Sequence, residues 1–383
     1  MRSGRNLPGA ITPSWPGRLA IPALTLSAVD TTNNQLVAGT FTLVSGSGTL
    51  TIRSGTTVDN VVVTIRGYTT VTGPAQPLCD PDIVTAIERA ASGHLGRPWL
   101  SQGLTDLGDR ASHPCGVLHG QPFSVFAKFS GAADARDQFT AELAGLQTLT
   151  RLAGIDTPVP VAGGVVELTD GCLLLSEALP EVLPRDRGRG QWRSIGQVLA
   201  ALHKTTHPQF GLGEQPGFFG PLPQDNRPVP TNRWSDFYRE RRIAPLLRRA
   251  VDSGHLPADL AAGVDRIAAR LPDIAGPDPQ PSLLHGDAQQ NNFVTTATAA
   301  VVIDAAPYFG HPEIDLALLD FFQPVPEDVL DAYSERAPID PGFPERKQLW
   351  RLPSYLAIIT VDGRQPEGLA AIKKLAGAIS TFG

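Results

Sequence analysis

The sequence predicts an α+β protein with two lobes, in which a β-rich half precedes a helical half. Two observations support this prediction. Residues 78–180 alternate between strand-like apolar stretches and helical patterns, whereas residues 181–383 are dominated by the apolar spacing of amphipathic helices. Residues 1–77 differ from both parts and are predicted to form a β-rich N-terminal extension. In such a two-lobed protein, we expect the ligand cleft between the lobes.

Composition is that of an ordinary globular protein with two or three domains. The chain has 383 residues, of which 42% are hydrophobic and 18% charged. A net charge of −6 argues against a nucleic-acid or anionic-membrane partner, since both require a basic surface. Cys79, Cys115 and Cys172 are widely spaced and match neither a zinc site nor a disulfide framework. We therefore expect three buried thiols and a reducing, cytoplasmic location.

The N-terminal extension is predicted to form short β-hairpins. In segments such as "GTFTLVSGSGTLTIRSG", apolar and polar residues alternate with period two, and runs of Gly and Ser interrupt the alternation. Arg2 and Arg5 precede the apolar "LAIPALTLSAV", which imitates a signal peptide only loosely because Pro22 interrupts it. Two alternatives stay open for residues 1–77. They are a small β appendage, well or poorly ordered, or upstream sequence read through from a start placed too early.

The elements of residues 78–180 follow in order. "DPDIVTAIERAASGHL" predicts a helix with Asp80 or Asp82 as its N-cap. "QPFSVFAKFS" (residues 121–130) alternates as a strand that carries Lys128. "ARDQFTAELAGLQTLTRLAG" predicts a helix, and "CLLLSEALP" (residues 172–180) predicts a buried strand.

Glu142 falls within the apolar arc that Phe139, Leu146 and Leu149 define on its helix. A carboxylate there is costly unless a cation meets it, and Lys128 on the preceding strand is the natural candidate. A strand lysine held by a helix glutamate is the device with which kinases bind the α- and β-phosphates of ATP. A solvated Glu142 on a slightly rotated helix remains the alternative.

Helices are predicted for the second half from "SIGQVLAALHK", "RWSDFYRERRIAPLLRRAV" and "PADLAAGVDRIAARL", with two more near the C-terminus. Between them, "LLHGDAQQNNFVTTATAAVVIDAAPYFG" (residues 283–310) concentrates polar side chains. Asp287 follows a His-Gly pair and precedes Asn292 by five residues, and "AVVI" predicts a strand that ends on Asp304.

These residue types suit phosphoryl transfer. Such an enzyme needs one carboxylate to accept or orient the substrate hydroxyl, and oxygen ligands for Mg²⁺ nearby. Since Mg²⁺ keeps several waters, one Asn and one Asp suffice beside the nucleotide phosphates. The order His-Gly-Asp, Asn, strand-Asp, with Lys and Glu upstream, is specific as a set.

The segment "LHGDAQQNNF…VVIDAAPYFGHPEIDLALLDFF" resembles the fructosamine kinase (ketosamine kinase) family, relatives of aminoglycoside phosphotransferases within the protein-kinase-like fold. "ALHKTTHPQFG", "GPLPQDN" and "WSDFYRERRIAPLLRRA" are similar to further blocks of that family, and the resemblance covers about residues 80–365. It implies an ATP-dependent, Mg²⁺-using kinase that phosphorylates a sugar hydroxyl of a ketosamine, with a small-molecule or glycated-amine substrate.

The resemblance also implies roles for particular residues. On the nucleotide side, Lys128 would contact the phosphates, Glu142 would hold that lysine, and Glu177 and Ala178 would lie in the hinge beside adenine. In the catalytic loop, Asp287 would be the catalytic base, and Asn292 and Asp304 would bind Mg²⁺.

Further residues support that loop or lie beside it. Asp315 would brace it from a helix that starts near Pro312, although an exposed carboxylate at a helix N-terminus is the alternative. His285 would be structural. Tyr308, Phe309 and His311 would line the substrate side, with plain packing as the alternative.

The chain departs from the family pattern in places. The usual Leu-Trp-Ser-Gly after the catalytic aspartate is "AQQN", and Asp-Pro-Ala is "DAA". "GLTDLGDRASHPCGVLHG" (residues 103–120) lacks a Gly-rich consensus for covering phosphates, although other backbone amides can do so. Two alternatives therefore stay open: a kinase for an aminoglycoside or other amino-alcohol, and a nucleotide-binding pseudokinase.

Overall fold

The computed structural model describes residues 76–382, except residues 109–110, 112 and 214–216, and it also assigns backbone strands between residues 18 and 71. The chain divides into two compact units, residues 1–129 and 130–383. The division predicted from the sequence, with boundaries after residues 77 and 180, stays a prediction.

Antiparallel strands follow one another in the N-terminal extension, as the period-two alternation predicts. The strand β2 pairs with β3 and β6, β4 pairs with β5, and β1 pairs with β7. The pairs β2–β3 and β4–β5 confirm the predicted β-hairpins, whereas the prediction of whether the segment is well or poorly ordered lies outside the described residues. The strands are β1 (Arg18–Ala20), β2 (Thr25–Asp30), β3 (Gln35–Leu36), β4 (Gly39–Val44), β5 (Thr49–Ser54), β6 (Val61–Arg66) and β7 (Thr69–Val71).

The turn before the first helix is tied to the fold that follows it. Residues Pro77–Cys79 form a 3₁₀ turn, and Gln76 Nε2 donates to Asp106 Oδ1 at 2.5 Å. Helix α1 (Pro81–Leu95) begins at Asp80, whose carboxylate accepts the N–H of Asp82 at 2.8 Å, which confirms Asp80 as the N-cap.

A three-stranded antiparallel meander follows, formed by β8 (Gly103–Asp106), β9 (Cys115–His119) and β10 (Val125–Ser130). The predicted strand with Lys128 is confirmed from residue 125, and Lys128 is buried opposite Cys115. The stretch considered for covering phosphates therefore forms the β8–β9 hairpin. Cys115 is buried as expected, but Cys79 is exposed, because it lies in the surface turn before α1. For Cys79 the prediction of a buried thiol was wrong.

The second unit begins with helix α2 (Ala135–Ala153) and a hairpin of β11 (Pro160–Leu168) and β12 (Gly171–Glu177). Phe139 of α2 packs with Cys172 and Leu174 of β12 in a small apolar cluster. Both elements are confirmed, although the strand ends three residues before the predicted Pro180.

Helices make up most of the remainder, as predicted. They are α3 (Arg189–His203), α4 (Trp234–Tyr238), α5 (Ala244–Asp252), α6 (Ala258–Ile274), α7 (Glu313–Leu318), α8 (Glu327–Ser334), α9 (Phe343–Trp350), α10 (Leu352–Asp362) and α11 (Pro366–Phe382). The long helix predicted around "RRIAPLLRRA" contains a π-helical turn, Arg239–Ile243, between α4 and α5. Pro245 lies in the first turn of α5, and because proline has no N–H it cannot continue a regular α-helical ladder there.

Short strand pairs lie between these helices and shape the polar segment. They are β13 (Gly217–Phe219) with β14 (Leu222–Gln224), β15 (Ser282–Leu283) with β18 (Phe309–Gly310), and β16 (Phe293–Thr295) with β17 (Ala300–Val302). Within the described residues, the helices do not combine the length and the apolar content that crossing a membrane requires.

Candidate active site

A β-hairpin brings the two predicted metal ligands together. The strands β16 and β17 pair through Phe293 and Val302. Beyond this pair, the N–H of Ile303 donates to the carbonyl oxygen of Asn292 at 3.0 Å. Since Asn292 directly precedes β16 and Asp304 follows β17 by two residues, both lie at the same end of the hairpin.

Backbone hydrogen bonds tie the His-Gly-Asp loop to the segment after Asp304. The N–H of Leu284 donates to the carbonyl of Tyr308, and the N–H of Ala306 donates to the carbonyl of His285, both at 2.9 Å. These bonds continue the β15–β18 ladder. The loop that carries Asp287 therefore lies beside the loop that carries Asp304.

Asp287 and Asn292 are in direct contact. The Asn292 amide nitrogen donates to the Asp287 backbone carbonyl at 2.8 Å and to Asp287 Oδ2 at 3.0 Å. Gln289 Nε2 lies 3.4 Å from the same carboxylate oxygen. Because the Asn292 nitrogen faces Asp287, its Oδ1 is the atom left for a cation.

The environment of Asp287 makes it a better base than an ordinary aspartate. Burial raises the pKa of its carboxyl to about 7, against the opposing hydrogen bond from Gln289 and with a further increase from the negative charge of Asp304. Part of the residue surface stays accessible. A carboxylate with a pKa near neutral is suited to accept a proton from a hydroxyl group.

Asp304 adopts a backbone conformation that is uncommon for residues other than glycine. Its φ of +52° lies in the left-handed region, which Asp and Asn tolerate better than other L-residues. This conformation occurs at the point where the chain leaves β17, directly before Ala305. Strained backbone of this kind is concentrated at functional sites in proteins.

Asp315 binds the backbone of the His-Gly-Asp loop with its carboxylate. Its carboxylate accepts the N–H of His285 at 2.7 Å and the N–H of Gly286 at 3.1 Å. The side chain is completely buried in the first turn of α7. The alternative of an exposed carboxylate is therefore wrong. His203 Nε2 is a further contact of Asp315, at 3.1 Å, which the sequence analysis missed.

His285 has the contacts of a positioning residue. It is fully buried, and its Nδ1 accepts the N–H of Asp287 at 3.2 Å. Burial lowers the pKa of its ring despite the nearby charge of Asp315, which favours the neutral imidazole. A neutral, enclosed ring fixes the loop and is poorly placed to carry protons.

Gly286 occupies a position that other residues fit poorly. Its φ is +86°, and a Cβ atom there would lie 2.0 Å from the carbonyl oxygen of Ala306. The glycine therefore allows the two loops to approach each other closely.

Arg187 clamps the other side of the hairpin. Its guanidinium donates to Thr295 Oγ1 at 3.1 Å and to the carbonyls of Gln290 and Phe293 at 3.2 and 2.7 Å. These contacts fix the 3₁₀ turn Gln290–Asn292, which carries the predicted amide ligand Asn292. The sequence analysis missed Arg187, because a lone arginine before a helix carries no local signal.

Helix α2 approaches the Asp304 loop closely. A Cβ atom at Gly145 would lie 2.8 Å from the carbonyl oxygen of Ala305 and from Pro307 Cδ. Glu142 precedes Gly145 by three residues, on a neighbouring part of the helix surface, and is half-buried.

The residues predicted to bind the nucleotide are divided between the two compact units. Lys128 is buried on β10 of the first unit, and its pairing with Glu142 of the second stays a prediction. The N–H of Glu177 donates to the carbonyl of Val159 at 2.8 Å. In the hinge, Glu177 would therefore accept a hydrogen bond with its carbonyl oxygen, and the role of the Ala178 backbone stays a prediction.

The residues considered for the substrate side are all buried. Arg242 Cζ lies 3.9 Å from the centroid of the Tyr308 ring. The His311 ring centroid lies 5.1 Å from that of Trp350. Phe309 is buried in the same core. Burial agrees with the packing alternative, and a place on the substrate side stays a prediction for all three.

The oxygen ligands fit a magnesium ion that is shared with a nucleotide. In the described parts of the chain, no cluster of three or more His, Cys, Asp or Glu side chains could hold a metal alone. Asn292 and Asp304 instead offer hard oxygen atoms at one end of the β16–β17 hairpin. Mg²⁺ commonly takes one or two protein oxygens and completes its shell with water and phosphate.

The raised pKa of Asp287 predicts a pH-dependent cost in stability. In the unfolded chain the carboxyl titrates near 3.8, and in the folded metal-free protein near 7. The folded state therefore binds the proton more tightly, so the free energy of unfolding decreases between these two values as the pH rises. Asp287→Asn lacks this titration. In EDTA, we therefore expect the difference in free energy of unfolding between the variant and wild type to grow by about 2 kcal/mol, in favour of the variant, as the pH rises from ~5 to ~8. Urea unfolding measures this gain, and parallel pH profiles of the two proteins would contradict it.

Comparisons with solved structures define the class. The chain aligns with a candidate fructosamine-3-kinase from Thermobifida fusca YX-ER1 with a TM-score of 0.64 and 30% identity, covering 78% of this chain and 99% of that one. Aminoglycoside phosphotransferase APH(4)-Ia, in a ternary complex with AMP-PNP and hygromycin B, aligns with a TM-score of 0.51 and 16% identity, over 78% of this chain and 98% of that chain. The fold is therefore that of the protein-kinase-like phosphotransferases.

Sequence comparison then identifies the family. The model of the fructosamine kinase family matches residues 83–370. "Probable ketoamine kinase YniA" of Escherichia coli (strain K12) is 33% identical over 286 residues, which are 73% of this chain and 94% of that protein. The chain belongs to the fructosamine kinase family. It is accordingly a phosphotransferase with an alcohol group as acceptor.

Removal of the N-terminal extension is expected to leave activity intact. The match with the family model begins at residue 83, so the extension lies outside the part of the chain that matches the family. We expect deletion of residues 1–75, which stops two residues before the predicted boundary so that Gln76 keeps its bond to Asp106, to change kcat/KM by less than about twofold and the melting temperature by less than ~3 °C. Thermal unfolding and steady-state kinetics measure both quantities. A large decrease in melting temperature would show that the extension stabilises the kinase.

Proposed function

We propose that this protein is an ATP- and Mg²⁺-dependent ketosamine kinase that phosphorylates a sugar hydroxyl of its substrate. One observation carries this proposal. The carboxylate of Asp287 is hydrogen-bonded to Asn292 at the hairpin end that also presents Asp304, in a chain of the fructosamine kinase family. A base and two hard oxygen ligands in one place are what phosphoryl transfer to a hydroxyl requires.

Asp287 would act on the attacking hydroxyl. Its carboxylate orients the sugar O–H and takes the proton as the hydroxyl oxygen forms a bond to the γ-phosphorus. The bond from that phosphorus to the β,γ-bridging oxygen breaks, and ADP leaves with the bonding electron pair. The pKa near 7 lets Asp287 be ionised before the reaction and hold the proton after it.

The side-chain amide of Asn292 would have two roles. Its nitrogen keeps the Asp287 carboxylate in place at 3.0 Å, and its oxygen would coordinate the metal together with Asp304. When bound, Mg²⁺ would neutralise charge on the phosphate groups. Asp315 and His285 keep the loop rigid, so the base does not have to be reoriented during the reaction.

Lys128 would contact the α- and β-phosphates, Glu142 would hold it, and the backbone of Glu177 and Ala178 would bind adenine. Family membership supports ATP as the phosphoryl donor. AMP-PNP bound to APH(4)-Ia is consistent with an adenine nucleotide in this fold.

The acceptor would be a ketosamine, the product that forms when a sugar reacts with an amine. Its phosphorylation in the cytoplasm would be a step in the repair of glycated amines. The name of the E. coli relative supports a ketoamine acceptor. Two observations favour a test against other acceptors. The "AQQN" stretch after Asp287 departs from the family pattern, and APH(4)-Ia, which has the same fold, is seen in complex with the aminoglycoside hygromycin B.

A substrate panel separates the acceptor classes. The protein is incubated with ATP and Mg²⁺ and with fructosyl-lysine, ribulosyl-lysine, an aminoglycoside or choline, and ADP release is recorded. We expect kcat/KM for a ketosamine to exceed that for the other acceptors by at least about 100-fold. Higher activity with the aminoglycoside or choline would overturn the ketosamine assignment. Asp287→Asn protein is run in parallel, and its loss of turnover would show that the recorded ADP comes from this site.

A further inference from the structure

A buried chain of hydrogen bonds runs from helix α8 to the catalytic loop. The hydroxyl of Tyr333 lies 2.8 Å from His203 Nδ1, and His203 Nε2 lies 3.1 Å from Asp315 Oδ2. The same carboxylate accepts the N–H groups of His285 and Gly286. The side chains of Tyr333, His203 and Asp315 are almost entirely inaccessible to water.

Donors and acceptors along this chain allow one consistent arrangement. Among the described residues, His203 Nδ1 is the hydrogen-bond partner found for the Tyr333 hydroxyl. That hydroxyl is neutral, because burial and the charges of Asp315 and Glu313 raise its pKa. If it only accepted, its own proton would be buried without a partner, which is costly. Tyr333 is therefore the donor, and His203 Nδ1 accepts.

This arrangement fixes the tautomer of His203. A neutral imidazole that accepts at Nδ1 carries its proton at Nε2, which then donates to Asp315. In the other tautomer the Nε2 lone pair would face the carboxylate, so a hydrogen bond would be replaced by repulsion.

We propose that Tyr333 is a positioning residue for phosphoryl transfer, because its hydroxyl fixes the ring of His203 in the position from which Nε2–H donates to Asp315 and keeps that carboxylate on the two loop amides. The effect on catalysis rests on the proposed function, in which that loop carries the base. Tyr333 belongs to α8, and its hydroxyl reaches the loop through His203 and Asp315.

Tyr333→Phe tests this proposal, because it removes one hydroxyl and keeps the aromatic ring. Tyr355→Phe is the matched control. The Tyr355 side chain is equally buried, and its hydroxyl donates to Gln348 Oε1 at 2.7 Å, away from Asp315. Tyr355→Phe also removes one hydroxyl, whose partners are Gln348 and Arg351, so a larger effect of Tyr333→Phe reports on the chain to Asp315.

The first readout is structural and needs no substrate. Nitrogen-15 NMR of labelled histidine in wild type should show His203 as the Nε2–H tautomer with a hydrogen-bonded Nδ1, and Tyr333→Phe should shift the Nδ1 resonance to that of a nitrogen without a hydrogen-bond donor. Hydrogen exchange at the amides of His285 and Gly286 should become about tenfold faster in Tyr333→Phe and stay unchanged in Tyr355→Phe. A protonated or Nδ1–H His203 in wild type, or unchanged exchange in Tyr333→Phe, would overturn the proposal.

The second readout is kinetic. We expect kcat of Tyr333→Phe to decrease about tenfold, with KM for ATP within about twofold, whereas Tyr355→Phe keeps both values. Equal kcat for wild type and Tyr333→Phe would overturn the catalytic role. If wild type itself transfers no phosphoryl group, the proposed function fails, and the NMR and exchange results still decide whether Tyr333 positions the loop.

Discussion

Asp287→Asn should nearly abolish phosphoryl transfer, with a decrease in kcat of about 1,000-fold and little change in ATP affinity. The amide has nearly the same shape and can still accept the hydrogen bond from Asn292, so the loop should keep its geometry. It cannot accept the proton from the attacking hydroxyl. Binding of ATP involves other groups, so its dissociation constant should stay within about threefold.

Steady-state kinetics and calorimetric titration with ATP measure these two effects separately. Asp273→Asn is a suitable control. It makes the same chemical change as Asp287→Asn, at an exposed position on α6 outside the site. We expect it to have wild-type kinetics. An Asp287→Asn protein that turns over at more than about a tenth of the wild-type rate would contradict the assignment of the base.

Gly286→Ala should both destabilise the protein and inactivate it. The substitution places a Cβ atom 2.0 Å from the carbonyl of Ala306, at a φ of +86°. The overlap is with backbone that the β15–β18 ladder holds in place, so one of the two loops must move. We expect a loss of about 3 kcal/mol in the free energy of unfolding and a decrease in kcat of at least ~100-fold, because Asp287 is the next residue.

Gly254→Ala separates backbone strain from steric overlap. Gly254 has a similar φ of +72°, but a Cβ atom there would meet no atom within 4 Å. This variant should lose about 1 kcal/mol and keep wild-type activity. Urea unfolding and kinetics of both variants test the idea, and equal losses in stability would show that close packing at Gly286 is unimportant.

The central residues of the site could be predicted because they are close in sequence. Asp287, Asn292 and Asp304 lie within 18 residues, and a hairpin is the simplest way to connect them. The sequence predicted the strand that ends on Asp304, whereas the partner strand that places Asn292 at the same hairpin end is seen only in the structure. Asp315 depended on the family resemblance, since its own neighbourhood suited an exposed carboxylate equally well.

The supporting residues could not be predicted, because their contacts depend on tertiary packing. Arg187 reaches Phe293 across 106 residues, and His203 reaches Tyr333 across 130. Hydrophobic periodicity assigns a residue to one face of a helix, but it does not say which residue of another helix it meets. The buried positions of Tyr308 and His311 were undecided in the sequence for the same reason.

The most direct test of this account is phosphorus NMR of a reaction of the purified protein with ATP, Mg²⁺ and fructosyl-lysine. It distinguishes transfer to a sugar from hydrolysis of ATP, which ADP release alone does not. We predict a new phosphate monoester resonance that grows in equal amount with ADP. Inorganic phosphate in its place, or unchanged ATP with folded protein, would contradict the proposal that Asp287, Asn292 and Asp304 direct phosphoryl transfer to a ketosamine.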